Sequence, residues 1–257
     1  MRVWIFSLLG LGLFLWPFAG GAIPADAPAY AVAIGVMVVL LLVELGARQL
    51  DARRLALLAV MAAIDAALRL ALVIGIGGFS PIFFLVLCAG FTFGPSYGYL
   101  VGSFSLLVSA FVTGGVGPWL PYEIFASGWV GVAAGLAGRL FAAATVRRRV
   151  TATGWVAVLV LALVGIVMGY LYGALTDIQT WTTGYRGTPN LGWAPGLPPL
   201  VTLQHFGRFY LATSLLWDTF RAAGDALMVI LLGRPVLAAL GRLRGRLTVE
   251  ILAEVDP

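Results

Sequence analysis

Eight long apolar runs dominate this sequence and constrain its fold more than any other feature. A helix needs about 20 mostly apolar residues to cross the hydrocarbon core of a bilayer. The chain is 61% hydrophobic and 11% charged, whereas soluble domains are about 45–50% apolar and about 25% charged. The excess of apolar surface must face lipid, so the sequence predicts an all-α integral membrane protein. The predicted spans are 3–22, 28–47, 54–74, 80–94, 96–113, 119–142, 154–175 and 206–232.

The first apolar run has features of both a signal peptide and a retained helix. Arg2, the apolar stretch and "ADA" at 25–27 are typical of a signal peptide. However, Pro28 would follow the cleavage point, which disfavours cleavage, and the apolar run is long for a signal. We expect a retained helix, with a cleaved signal as the alternative.

The arginines indicate the orientation of the spans. If the N-terminus is cytoplasmic, twelve of the sixteen arginines fall in or next to cytoplasmic loops, whereas only Arg186 and Arg208 lie outside. This asymmetry fits the positive-inside rule and predicts that both termini are cytoplasmic. It also argues against a nucleic-acid partner, because the basic residues do not form one basic face with aromatics. The cytoplasmic arginines are Arg2, Arg48, Arg53, Arg54, Arg139, Arg147, Arg148, Arg149, Arg234, Arg242, Arg244 and Arg246.

Three glycine-rich segments fall on the outer side in this orientation. They are "GIGGFSP" at 75–81, "TGGVGPWLPYEIFASGW" at 113–129 and the long stretch 176–206, which we expect to be irregular. Together they predict one extracytoplasmic mouth that binds substrate, although Trp and Tyr are also common at membrane interfaces. Glu123 could bind ligand or simply complement the dipole at the start of its helix. The candidate substrate-binding residues are Phe79, Trp119, Tyr122, Glu123, Trp129, Trp181, Tyr185, Asn190 and Trp193.

Small residues recur every four positions on several spans. Gly94, Gly98 and Gly102 form one such ridge, which we expect to pack inside the protein, as we do for Gly131 and Gly135. A ridge of alanines on the third span lies beside Arg53 and Arg54, so it could instead dock another subunit. These alanines are Ala59, Ala63 and Ala67.

Charged residues within the spans form two pairs, Asp65 with Arg69 and Asp218 with Arg221. Charges at this depth are costly and are usually paired or functional. Antiparallel packing of the third and eighth spans would set Arg69 level with Asp218 and Asp65 level with Arg221. We interpret them as salt bridges that lock the bundle, with a proton or cation path as the alternative.

Signatures of catalysis and of ATP binding are missing from the sequence. There is no G-x-x-x-x-G-K-[ST] loop and no H-E-x-x-H, and "GPSYG" at 94–98, which fits G-x-S-x-G in its letters, joins two apolar spans and not the strand and helix of a nucleophile elbow. One cysteine, Cys88, and one histidine, His205, cannot build an ordinary metal site. We expect Cys88 to pack in the core and His205 to be a loop or interfacial hydrogen bonder. The sequence therefore predicts a protein that is not an enzyme, with no metal and no covalently bound cofactor.

Three stretches carry a resemblance to a known family: "LLAVMAAIDAALRLAL", the block from "AGFTFGPSYGYLVG" to "GWVGVAAGL", and "SLLWDTFRAAGDALMVILLGRPVL". The chain from Arg53 to about Arg246 resembles the substrate-binding S-component of energy-coupling factor (ECF) transporters. The resemblance implies a six-helix S-component-like bundle at 51–241. The two extra spans at 1–50 are not explained by it, and 242–257 would be a cytoplasmic tail.

The resemblance also implies a function and partners. It implies a vitamin or metal-ion capture subunit in a prokaryotic plasma membrane. Such a subunit pairs with a coupling transmembrane subunit and two cytosolic ATPase subunits, and the alanine ridge would face the coupling subunit. The other function class left open is a self-sufficient proton-coupled carrier or channel, which would usually show two related halves; no repeat is evident here.

The substrate has several candidates. A cationic vitamin such as thiamin would suit Glu123 beside Trp119 and Tyr122, because cation–π contacts form best on Trp. An anionic vitamin would require Arg186 or Arg208. The pattern "GVGPWLPYEIFASGWVG" is most similar to S-components for cobalamin or other corrinoids, so we expect a corrinoid, with a smaller vitamin next.

Overall fold

A computed structural model describes residues 10–19, 27–47, 50–71, 82–145 and 153–255. Within these ranges the regular structure is helical, with irregular turns between the helices. The all-α prediction is therefore confirmed for the part of the chain that the structure describes. The helices are α1 (Gly10–Ala19, ending in a 3-10 turn at Trp16–Ala19), α2 (Ala27–Ala47), α3 (Ala52–Ala71), α4 (Ile82–Phe93), α5 (Pro95–Thr113), α6 (Leu120–Thr145), α7 (Trp155–Gly184), α8 (Pro199–Thr213) and α9 (Leu215–Val255).

Four of the described helices are long and apolar enough to cross a membrane. Shorter apolar helices lie at Gly10–Ala19, Ile34–Val43 and Phe83–Phe93. The membrane character of the chain is confirmed, whereas the count of eight spans remains a prediction. The four spanning stretches are Pro95–Thr113, Leu120–Thr145, Trp155–Gly184 and Leu215–Leu247.

The irregular outer segment is shorter than the sequence predicted. We expected 176–206 to be irregular, but α7 continues to Gly184 and α8 begins at Pro199, which leaves 185–198. The Thr182 hydroxyl donates to the carbonyl oxygen of Ile178 at 2.8 Å. This bond to the preceding turn lets a polar side chain continue the helix.

The predicted span 206–232 is wrong in one respect, because a break at Ser214 divides it between α8 and α9. Ser214 has φ −112°, outside the usual helical range, and its hydroxyl lies 3.0 Å from that of Thr213. Ser and Thr side chains offer hydrogen bonds that compete with regular helix, which accounts for a break at this pair. α9 then continues as one helix through 241 into the predicted tail.

α6 is the centre of the bundle and packs against α4, α5 and α7. A Cβ on Gly98 would collide with the backbone of Gly131, so the α5 and α6 backbones are in direct contact there. One turn away, the Ser127 hydroxyl donates to the carbonyl oxygen of Gly102 at 2.9 Å. The predicted role of these glycines as internal packing positions is therefore confirmed.

The alanines of α3 divide between two faces. Ala62 and Ala66 are each 3% exposed and face the bundle, where α3 packs mainly against α5. Ala59, Ala63 and Ala67 are exposed on the other side. The alanine ridge is thus not used for packing within the described part of the chain.

Candidate functional site

The turn between α5 and α6 is shaped by glycine. Gly114 ends α5 in the left-handed conformation at φ 69°, which glycine adopts without strain. A Cβ on Gly117 would lie 2.5 Å from the indole of Trp119, so the ring packs directly over this glycine. The Trp119 Nε1 donates to the carbonyl oxygen of Gly115 at 3.0 Å. The turn therefore fixes the position of Trp119 just before α6.

A cavity of about 530 Å³ lies beside this indole, and we call it the outer cavity because the predicted orientation puts it on the outer side. Its wall combines the α5–α6 turn with the last turns of α7. The volume falls in the range of about 300–1,000 Å³ that is typical of small-molecule sites. The lining residues are Pro118, Trp119, Gln179, Thr180, Thr182, Thr183 and Arg186.

The groups around this cavity suit a ligand with a ring and polar substituents. Trp119 is 42% exposed and offers an aromatic surface. The Gln179 Nε2 donates to the Thr183 hydroxyl at 3.3 Å, which orients the side-chain amide. Among the described residues that line the cavity, Arg186 alone is charged, and its Cζ lies 5.4 Å from the centre of the Trp193 ring. The cavity therefore offers a cation that is held in place by an aromatic ring.

The segment 185–198 is held in place by hydrogen bonds with side chains of the flanking helices α7 and α8. The Trp181 Nε1 donates to the carbonyl oxygen of Leu191 at 2.7 Å, and Arg208 donates to that of Asn190 at 3.1 Å. The His205 Nδ1 lies 2.8 Å from the carbonyl oxygen of Gly192. The prediction that His205 is a loop hydrogen bonder is confirmed.

The end of α1 covers several aromatic residues of the predicted mouth. The Trp16 Nε1 donates to the Tyr122 hydroxyl at 3.1 Å. The Phe14 ring lies 5.4 Å from that of Tyr122 and 5.1 Å from that of Trp129. Phe18 packs in the same way on Trp181, with the ring centres 5.9 Å apart. These contacts bury residues that the sequence had suggested as ligand contacts.

The predicted substrate residues therefore fall into different surroundings. Trp119 lines the outer cavity. Glu123 lies in the first turn of α6, Tyr185 packs against Phe209, and Asn190 is exposed with φ 64°. Phe79 lies outside the described residues. Those that pack around α1 are Tyr122, Trp129, Trp181 and Trp193.

The charged residues of α3 and α9 have different partners from those expected. Asp65 accepts a hydrogen bond from Ser105 at 2.9 Å, and Arg69 donates to Ser109 at 3.3 Å. Both serines are on α5, because α3 packs mainly there rather than on α9. Hydrogen bonds with α5 therefore take the place of the predicted pairs of Arg69 with Asp218 and of Asp65 with Arg221.

The charges of α9 pair within their own helix. Arg221 forms an ion pair with Asp218, whose other oxygen accepts from the Tyr210 hydroxyl at 2.9 Å. Arg221 and Arg69 both lie within electrostatic range of the Glu123 carboxylate. Glu123 thus shares its surroundings with two guanidinium groups and does not present an isolated negative charge.

Sequence reasoning missed the polar stripe of α7. Gln179, Thr182 and Thr183 are spaced three and four residues apart, so they share a face of the helix. That spacing was the available signal, but the expectation of an irregular loop from 176 onward concealed it. Asp225, one turn beyond Arg221 on α9, is 1% exposed, and neither carboxylate oxygen has a hydrogen-bond partner among the described residues.

The described residues contain no group of three or more His, Cys, Asp and Glu side chains that could hold a metal ion. Cys88 is buried as a free thiol, which confirms its predicted core position. Comparisons with curated proteins and with solved structures gave no match. The family model described as the ECF transporter, substrate-specific component, matches residues 53–233, from the start of α3 to the middle of α9. This match covers well over half of the chain, and the chain therefore belongs to the family of ECF transporter substrate-specific components.

Proposed function

We propose that this protein captures a small vitamin-like solute in the outer cavity and presents it for uptake by an ATP-driven importer. Proteins of this family are substrate-binding subunits of importers, and they work with a coupling membrane subunit and ATPase subunits. The chain supplies no ATP-binding loop of its own. Energy for uptake must then come from the partners.

The observation that carries the proposal is the placement of Trp119 and Arg186 on one cavity of about 530 Å³. An indole face and a guanidinium group together suit a ring-bearing solute with an anionic substituent. The threonine hydroxyls and the Gln179 amide can satisfy further polar groups of such a ligand. We therefore favour a small anionic vitamin as the substrate.

A cationic vitamin is less well supported. Its main candidate partner was Glu123, but Arg69 and Arg221 lie within electrostatic range of that carboxylate. The two guanidinium groups offset the negative charge that would attract a cation. Arg186, the one charged side chain that the described part of the chain contributes to the outer cavity, would repel a cation.

A corrinoid is the second candidate, favoured by the sequence pattern of the α5–α6 turn and the start of α6. A corrin macrocycle with its nucleotide arm is bulkier than a cavity of about 530 Å³. The described residues that line the cavity come from the α5–α6 turn and from 179–186, and the volume that they leave favours the smaller ligand.

The exposed face of α3 is our proposed docking surface for the coupling subunit. Ala59, Ala63 and Ala67 are exposed, whereas the interleaved Ala62 and Ala66 are buried. Small side chains allow another helix to approach closely within lipid. The face is therefore suited to a helix of the partner.

Uptake by cells that lack their own transporter for the solute would test this function. The chain would be expressed alone, with a coupling subunit, and with the coupling subunit plus both ATPase subunits. We expect accumulation only with the complete set, and loss of accumulation when the ATPases carry an inactive Walker lysine. Accumulation by the chain alone that collapses with the proton gradient would instead support a proton-coupled carrier.

A further inference from the structure

A second cavity, of about 420 Å³, lies at the opposite end of the bundle from the outer cavity. It is enclosed by the start of α3, the α4–α5 junction and the extended part of α9. Arg54 and Arg244 both line it, together with Ser96 and Tyr97. Two guanidinium groups on one cavity point to an anionic ligand.

The two arginines are held in place by contacts with their surroundings. Arg244 donates to the carbonyl oxygen of Thr92 at 2.8 Å, which ties α9 to α4. The Arg54 Nε lies 3.4 Å from a carboxylate oxygen of Asp51 in an exposed ion pair. A guanidinium group has five N–H donors, so these contacts do not prevent either arginine from binding an anion as well. Exposed pairs such as Arg54–Asp51 are also weak.

A third basic residue lies close to the same junction. A Cβ on Gly94 would be 3.6 Å from the Nη2 of Arg139, so this guanidinium group stands beside the α4–α5 turn. Arg139 does not line the cavity itself, but it adds positive charge near the cavity. The potential at this end of the bundle therefore favours an anion.

The cavity also has an apolar side. Leu57 of α3 and Leu247 of α9 line it next to the two arginines. Leu243, one turn before Leu247, is 39% exposed, so apolar surface continues from the cavity along α9. A ligand that satisfies both kinds of surface has an anionic head and an apolar tail.

This cavity depends on parts of the chain that lie outside the family match. Leu50 precedes residues 53–233, and Arg244 and Leu247 follow them. The continuation of α9 beyond Gly233 brings these two residues back to the α4–α5 junction. Membership of the family therefore does not by itself account for the cavity.

We propose that this cavity binds the phosphate headgroup of an anionic membrane phospholipid. Arg54 and Arg244 hold the phosphate, and Leu57 and Leu247 contact the start of the acyl chains. Basic pockets between transmembrane helices at the membrane surface are suited to such headgroups. The bound lipid joins the extension of α9 to the start of α3, beside the proposed docking surface.

Native mass spectrometry of the full-length protein titrated with phosphatidylglycerol in detergent tests this proposal. The double variant Arg54→Gln, Arg244→Gln is compared with the control Arg242→Gln, Arg246→Gln, which removes two exposed arginines of α9 that do not line the cavity. One arginine contributes about 1 kcal/mol near a charged surface, or about fivefold in affinity. We expect the double variant to lose about twenty-fold in affinity, and the control to stay within twofold of the wild type.

Two further measurements distinguish a site for an anionic phospholipid from a site for any phospholipid or for free phosphate. Phosphatidylcholine should bind at least tenfold more weakly than phosphatidylglycerol, and millimolar inorganic phosphate should not displace the lipid. Equal affinity of the two double variants would overturn the proposal, as would full displacement by inorganic phosphate, which would indicate a site for free phosphate. If the double variant does not fold, the single variant Arg54→Gln, on a partly exposed arginine, should still lose about fivefold, and no loss there would also refute the site.

Discussion

The indole Nε1 of Trp193 donates a hydrogen bond of 3.0 Å to the carbonyl oxygen of Pro17, across 176 positions of the sequence. Trp193 belongs to the part of the chain that matches the family, whereas Pro17 lies before it. The Trp16 ring meets that of Trp193 edge-on at 5.2 Å. The end of α1 thus packs against the segment 185–198, although none of its described residues lines the outer cavity.

Removing the Trp16 side chain should destabilise the packing of α1 against the rest of the protein. Trp16→Ala deletes the hydrogen bond to Tyr122 and the ring contact with Trp193. A hydrogen bond contributes about 0.5–1.5 kcal/mol and an aromatic pair about 0.5–1.5 kcal/mol, so we expect a loss of about 1–3 kcal/mol. Thermal unfolding in detergent measures it. Leu15→Ala is the matched control, because Leu15 is 58% exposed; equal effects of the two changes would show that α1 is not docked as described.

The predicted orientation can be tested by labelling single cysteines in intact cells. Arg148→Cys should resist a membrane-impermeant thiol reagent, and Thr188→Cys should react, because the arginine asymmetry places 147–149 inside and 176–206 outside. The native Cys88 is buried and gives little background. Labelling of position 148 but not 188 would reverse the topology and place the outer cavity in the cytoplasm.

Bulk at the centre of the alanine ridge should prevent assembly with the coupling subunit. Ala63→Trp fills the space that a partner helix needs, so co-purification of the coupling subunit should fall at least tenfold while ligand binding by the isolated chain persists. Leu140→Trp adds bulk at a position of α6 that is 71% exposed and should leave assembly intact. Normal assembly of the Ala63→Trp variant would move the docking surface elsewhere.

The contact between α5 and α6 predicts that an added methyl group destabilises the protein at Gly131 but not at Gly35. In Gly131→Ala the new methyl group meets the backbone of Gly98, where no flexible side chain can move aside. Overpacking of this kind typically costs about 1–3 kcal/mol, and the thermal midpoint should fall accordingly. Gly35→Ala in α2 has no atom within 4 Å of the new Cβ and should be neutral or slightly stabilising. A neutral Gly131→Ala would mean that the two helices are further apart than described.

The sequence predicted the spans well where apolar runs were bounded by glycine or proline. α5 begins at Pro95 and ends before Gly114, close to the predicted limits of 96–113, because these residues mark helix ends physically. The continuation of α7 to Gly184 was not predicted, since Thr has a low helix propensity and a stretch rich in Gly, Pro and Thr is typical of a loop. The position at which α7 ends depends on side-chain contacts that the amino-acid composition does not show.

The candidate site was predictable only in part. Trp119 was recognised from its glycine and proline neighbours, and it does line the cavity. The burial of Trp181 and Trp193 by α1 was not foreseen, because it depends on a segment more than 150 positions away in the sequence. Pairing of Asp65 with Ser105 was missed for the same reason: helix order in the sequence does not specify which helices pack together.

Mass spectrometry of the ligand that the detergent-purified protein retains tests the central claim most directly. The wild type should retain one small anionic vitamin-like solute, and titration calorimetry with that solute should show about fivefold to 150-fold weaker binding for Trp119→Ala, since the lost ring contact contributes about 1–3 kcal/mol. Arg186→Gln should weaken binding by a similar factor, and Arg208→Gln, on an arginine that does not line the cavity, should not. A retained corrinoid, or unchanged affinity in both cavity variants, would contradict the proposed site and substrate class.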